Sequence, residues 1–194
     1  MAAPLALGDD DLLRRLAAGD EEAFTALYRR HQGPLYRFVL RMSGSAGLAE
    51  DVTQEAFMAL FERPDGYDPE RGGIAAYLYG IARRKMLRRL ERDRRYASAA
   101  LDEDAGASDE RPFDTLSRQE AIVAVRRALL ALSPNYREVV VLCELEGLSY
   151  AEAAAAFGCA LGTVRSRLHR ARGLLLRALR GLSTVSLREG LDTA

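Results

Sequence analysis

Apolar residues recur at three- and four-residue intervals along most of this chain, and that spacing predicts helices. Leu12, Leu13 and Leu16 mark a short helix over 9–18, with Asp9, Asp10 and Asp11 in its first turn, where the helix dipole favours acids. Gly19-Asp20 punctuates the pattern, and Asp20 can cap the next helix. Phe24, Leu27, Tyr28, Leu35, Phe38, Val39 and Met42 carry a stripe over 21–42, in which Gly33-Pro34 should kink or locally unwind the backbone. A third helix over 46–62 turns Leu48, Val52, Ala56, Ala59 and Leu60 one way and Asp51, Gln54, Glu55 and Met58 the other. Residues 63–73, dense in Pro, Gly and Asp, form a loop. From Ile74 a long helix keeps Tyr77, Leu78, Ile81 and Ala82 on its apolar side and then turns strongly basic over residues 83–90.

Beyond about residue 96 the pattern stops. The Ala-, Ser-, Gly- and acid-rich stretch to Ser117 has little to bury and should be a flexible linker. Helical spacing returns from Thr115 with Ile122, Val125, Leu129 and Leu132. Ser133-Pro134 opens another helix, Ser133 as cap, in which Val139, Val140, Leu142 and Leu145 pack before Gly147. Residues 148–172 then read as two short helices joined by a tight turn. Ser149 and Glu152 have capping-box spacing, Gly158 sits at the C-cap, and a second helix starts near Ala160. On that helix Val164, Leu168, Ala171 and Leu175 face inward, leaving Arg165, Ser166, Arg167, His169, Arg170 and Arg172 outside. The expected fold is all-α: two small helical domains, 9–95 and 118–181, a flexible acidic linker over 96–117, and a frayed tail over 182–194.

The paired helices form a helix-turn-helix. A helix that reads the major groove needs guanidinium and short hydroxyl side chains in its N-terminal half, because Arg grips a guanine edge bidentately and Thr or Ser reaches bases or phosphates. Thr163, Arg165, Ser166 and Arg170 meet that need. From Arg165 to Arg180 there are arginines and no Asp or Glu, which a helix balanced for solubility seldom shows, so DNA binding is favoured over a solvated face.

Composition changes the picture only once the charges are placed. The 194 residues hold 28 Lys or Arg and 28 Asp or Glu, but the basic residues gather at 83–95 and 165–180 and the acids at 102–110. Cys143 and Cys159 fit no metal-ligand spacing and read as small buried residues. The N-terminus has no signal-peptide pattern, and no run approaches the roughly 20 apolar residues that span a bilayer, so a cytoplasmic protein with reduced thiols and no membrane insertion is expected. No nucleophile, metal or phosphate-loop constellation points to an enzyme, and no cofactor or metal is implied.

Two surfaces stay ambiguous on periodicity alone. Asp51 and Glu55 stand one turn apart and repel by a few tenths of a kcal/mol, so a nearby cation would help them; a solvated face and a partner-binding face are equally compatible. Tyr67, Tyr77 and Tyr79 beside the basic stretch could stack unpaired bases while arginines follow the phosphates, or Tyr77 could be core and the arginines solubilising.

At this point the arrangement resembles the extracytoplasmic-function (ECF) group of bacterial RNA polymerase sigma factors. Residues 49–57, Ala-Glu-Asp-Val-Thr-Gln-Glu-Ala-Phe, match the family's AED-x-x-QE-x-F signature, and Tyr77-Leu78-Tyr79-Gly80-Ile81-Ala82-Arg83-Arg84 resembles its W-L-x-x-I-A-R-N segment. Leu132-Ser133-Pro134 through Arg137-Glu138-Val139 is similar to L-P-x-x-x-R-E-V, and residues 146–152 and 162–172 continue that half. The resemblance implies that 9–95 is sigma region 2 and 118–181 sigma region 4. It also implies that Leu48, Asp51, Val52, Gln54, Glu55 and Met58 dock on the clamp coiled coil of the polymerase's largest subunit, which would supply the missing cation. The beta-subunit flap is a further implied contact. Tyr67, Tyr77, Arg83, Arg84, Lys85 and Arg88 would open promoter DNA at its minus-ten element. Thr163, Arg165, Ser166, Arg167, His169 and Arg170 would read the minus-thirty-five element. The acidic linker would thread the active-site cleft, and an anti-sigma factor would regulate the chain.

Departures limit the transfer: Tyr77 stands where Trp is usual, Arg84 where Asn is usual, and Cys143 where Arg is frequent. The competing functions are a sigma-like decoy for an anti-sigma factor, which would not need Arg165 and Arg170, and a free-standing repressor, which leaves the first 95 residues unexplained.

Overall fold

A computed structural model of the chain describes residues 7–100 and 118–189, and among these every regular element is helical. The N-terminal bundle comprises α1 (Asp9–Ala17), α2 (Glu21–Ser43), α3 (Ala46–Glu62) and α4 (Ile74–Ala100). Short 3-10 turns at Pro64–Gly66 and Pro69–Arg71 fold the loop between α3 and α4. The C-terminal part comprises α5 (Arg118–Ala131), α6 (Pro134–Val140), a π-helical turn (Val141–Leu145), α7 (Tyr150–Phe157) and α8 (Leu161–Glu189).

Local chemistry sets most boundaries. Asp20 caps α2 by accepting hydrogen bonds from the Glu22 and Ala23 amides at 3.0 and 3.3 Å. Gly44, at φ 75°, ends α2 in the left-handed region that glycine adopts without strain. Contrary to the expected unwinding, α2 stays helical through Pro34. Leu27 on one side and Leu35, Phe38 and Val39 on the other are fully buried, and this packing favours the helical backbone on both sides of the proline. Ser133 precedes α6 but its side chain makes no cap bond. α4 continues to Ala100, past the expected end at 95, because Ala97, Ala99 and Ala100 are strong helix formers. Most of the expected linker, 101–117, lies outside the described residues, as does the start of a helix at Thr115. Of the tail expected to fray over 182–194, the part up to Glu189 is helical.

The two halves, expected to be separate on a tether, pack against each other around one continuous apolar core. α4 crosses α7 so closely that a Cβ at Gly80 would lie 3.2 Å from the Ala156 carbonyl oxygen. Ion pairs to a buried carboxylate fasten the contact. Glu146, its side chain 1% exposed, accepts from Arg37 at 3.0 Å and from Arg41. The Arg137 guanidinium donates to the carbonyls of Leu129 at 2.9 Å, Leu130 and Leu132 around the end of α5, and reaches across to donate to the Met42 carbonyl of α2.

The stripe expected in the C-terminal half is only partly core. Leu129, Leu132, Val139, Val140 and Leu142 are buried, whereas Ile122, Val125 and Leu145 are exposed. With Leu40 and Leu130 they line an apolar groove of about 590 Å³ between α2 and α5, edged by Arg37, Arg41 and Arg126.

Candidate nucleic-acid interface and docking face

The helix-turn-helix forms as its sequence dictates. Ser149 Oγ accepts from the Glu152 amide at 3.2 Å, and the Glu152 carboxylate accepts from the Ser149 amide at 2.8 Å, completing the capping box. Gly158, at φ 63°, turns the chain into α8. Val164, Leu168 and Ala171 are buried against the neighbouring helices and Leu175 is half-buried. Arg165, Ser166, His169 and Arg170 are exposed on one face, and Thr163 is half-buried beside them. The Ser166 hydroxyl donates to the Thr163 carbonyl at 3.1 Å, which leaves its oxygen lone pairs for a donor on a partner. Arg167 is half-buried and faces Glu138 closely enough for its charge to favour that carboxylate's ionised form. Arg172 is held by Glu144.

α4 divides its residues differently from the expectation. Arg84 and Arg88 are exposed. Tyr77 is half-buried, its ring edge-on to Tyr67 at 5.8 Å. The Tyr67 hydroxyl donates to Asp10 at 3.1 Å, and burial, with Asp10 second, pushes its pKa up to about 12. Tyr79 is 4% exposed and packs edge-on against Phe38 at 5.2 Å, so it is core and no base-stacking surface. Arg83 is also turned inward: its Nε donates to Glu138 Oε1 at 2.8 Å, and its guanidinium lies 5.8 Å from the Phe157 ring. Glu138 itself is fully buried; burial pushes its pKa above the carboxylate range, Arg83 pulls it back, and Oε2 meets no donor among the described residues.

The acidic face of α3 carries two corrections. Val52 is 0% exposed and sits in the core, because it follows the inward stripe with Ala49, Ala56 and Leu60; it cannot touch a partner. Asp51, Gln54 and Met58 are exposed, and Leu48 and Glu55 half-buried. Phe61, 45% exposed and one turn beyond Met58, extends this face and was legible from its spacing. The expected contrast is direct: Val52→Ala lowers unfolding free energy by about 2 kcal/mol by opening a cavity, whereas Met58→Ala leaves the thermal midpoint unchanged and weakens partner binding. The second correction concerns charge. Asp51 and Glu55 do not lack a cation: Arg89 bonds both, at 2.6 Å to Asp51, and Lys85 bonds Glu55 at 3.2 Å. Burial favours the neutral acid at Glu55, but Lys85 and Arg89 together hold its pKa below the ordinary value.

Arg89, Arg137 and Glu138 are the residues that sequence reasoning left without a role. Arg89 had a signal, since it sits on the basic helix next to the unpaired acids. Glu138 had none, because a charged residue buried between two halves of a chain has no local signature.

An outward basic helix-turn-helix thus sits on a bundle that carries an exposed acid-and-methionine face. Residues 27–96 match the family described as Sigma-70 region 2, and residues 122–175 match Sigma-70, region 4. The chain is 38% identical to the ECF RNA polymerase sigma factor SigE of Mycolicibacterium smegmatis over 80% of its own length and 62% of that protein's. It is 34% identical to SigM of Mycobacterium tuberculosis over 91% of its length and 87% of that protein's. The chain belongs to the ECF RNA polymerase sigma factors. Its fold is similar to that of CnrH solved with the cytosolic domain of CnrY, at a TM-score of 0.68 and 31% identity over 89% of this chain and 97% of that one. It is also similar to sigma factor RpoE solved with the anti-sigma factor NepR from Bartonella quintana, at a TM-score of 0.64 and 28% identity over 81% and 96% of the two chains. Among the described residues no helix is long and apolar enough to cross a membrane.

Proposed function

We propose that this sigma factor docks on core RNA polymerase through Leu48, Asp51, Gln54, Glu55 and Met58 and places two DNA-contacting helices on a promoter. α8 reads the minus-thirty-five duplex with Thr163, Arg165, Ser166, His169 and Arg170. Arg84 and Arg88 of α4, with Tyr67 and Tyr77, meet the minus-ten element. The observation that carries this reading is the single exposed face of α8, where Arg165, Ser166, His169 and Arg170 stand together while the apolar residues between them are buried. Arg83 joins the minus-ten set once its bond to Glu138 opens, so the packed arrangement is the form off the promoter. The chain contributes binding energy and position, and the polymerase performs the chemistry.

The groove edged by Arg37, Arg41 and Arg126 supports an anti-sigma factor as a second partner, seated as an acidic amphipathic segment with its apolar side on Leu40, Ile122, Val125 and Leu145. A decoy role is disfavoured by the exposed Arg165 and Arg170. The test is co-purification with core polymerase followed by run-off transcription on a promoter library. Association plus promoter-selective transcripts is the expected result; a chain that does not associate with a core enzyme accepting other sigma factors would overturn the proposal.

A further inference from the structure

The carboxylates that α3 would offer a basic partner are already satisfied within the chain. Asp51 and Glu55 lie one turn apart, so a single guanidinium can span them. Arg89 does so, donating from one nitrogen to Asp51 at 2.6 Å and from another to Glu55, while Lys85 closes on the second Glu55 oxygen at 3.2 Å. These carboxylates and cations sum to no net charge, so a basic surface approaching α3 meets a patch whose field is cancelled. It gains the full attraction of Asp51 and Glu55 only by displacing Arg89 and Lys85. Displacement is easy here, because the side chains are 57% exposed for Asp51, 36% for Glu55, 29% for Arg89 and 32% for Lys85, and ion pairs this open are weak. The displaced cations stay on α4, whose neighbouring positions Arg84 and Arg88 already face solvent, and each cation added to such an array strengthens its hold on a phosphate backbone.

We infer that Arg89 and Lys85 are exchangeable partners: they occupy the docking carboxylates in the free chain, and polymerase docking releases them to contact promoter phosphates. Arg89 thereby becomes a DNA-contacting residue that is unmasked only in the polymerase complex. The exchange links the two binding events, so polymerase strengthens DNA binding and DNA strengthens polymerase binding by the same factor. This inference rests on the docking role proposed above for Asp51 and Glu55.

The experiment measures the affinity of the full chain for core polymerase, with and without a promoter fragment, for the wild type and for Arg89→Met combined with Lys85→Met. Methionine keeps the aliphatic stems, and thermal unfolding checks that the variant folds. Without DNA the variant should bind core polymerase roughly three- to tenfold more tightly, because its carboxylates are free, and the gain produced by DNA should shrink by a similar factor. Lys85→Met alone, which frees one oxygen of Glu55, should show a smaller shift of the same sign. A merely structural role for Arg89 would give weaker or unchanged core binding, and that result overturns the exchange while leaving docking intact. A wild-type chain that does not bind core polymerase at all overturns the docking role, and the exchange with it.

Discussion

Replacing Arg165 and Arg170 together by alanine abolishes promoter-selective run-off transcription while the chain stays folded and still associates with core polymerase. Both side chains are exposed on the outer face of α8, so neither supports the core, and truncating them removes no buried contact. A bidentate guanidinium–guanine contact discriminates by about 1–3 kcal/mol. Losing two therefore costs promoter affinity between about 30-fold and about 20,000-fold. Circular dichroism and core binding serve as controls. Transcription that survives the double substitution at every promoter would move the reading function away from α8 and revive the decoy alternative.

Arg83→Met lowers the stability of the packed form by about 3 kcal/mol, and Arg83→Met with Glu138→Met recovers most of it. Removing the guanidinium leaves the Glu138 carboxylate buried without its strongest partner, which costs far more than the loss of a surface pair; removing both charges relieves that cost. The figure is at the low end for a buried pair because the Arg83 side chain is 23% exposed. The deficit also depends on pH. Because burial raises the folded-state pKa of Glu138 above the unfolded value of 4.5, the group favours the folded chain fully below that value. That contribution is lost as pH rises through the folded-state pKa. Without Arg83 the folded-state pKa climbs further, so the variant's deficit is largest near pH 7.5 and shrinks towards pH 4.5. Urea midpoints across that range test this; a deficit that does not change with pH would show that Glu138 is not the group responsible.

The elements were legible wherever local chemistry decides them. The capping box at Ser149, the cap at Asp20 and the apolar stripe of α8 are short-range signals, and each appears where its spacing puts it. What local signals do not report is which half of the chain a side chain will meet. Pro34 suggested a kink or local unwinding, and the stripe gives no measure of the packing that keeps the backbone helical there. Arg83 was grouped with the exposed cations of α4 because its bond to Glu138 spans 55 residues of sequence. Val52 was grouped with the docking residues although its own spacing, with Ala49, Ala56 and Leu60, already directed it inward. The acids of α3 seemed unpartnered because their cations lie on α4, which pairs with α3 only in the folded bundle.

The crossing at Gly80 sets how closely the halves can fit together. Where α4 meets α7 the surfaces are small: glycine and alanine against a main-chain carbonyl, with Gly72 likewise against the Ala155 methyl. Contact at this point is made by peptide groups and single methyls, beside the Phe157 ring that the Arg83 guanidinium covers. A side chain at position 80 would press on the Ala156 main chain, so the two halves can close this tightly only while that position carries none.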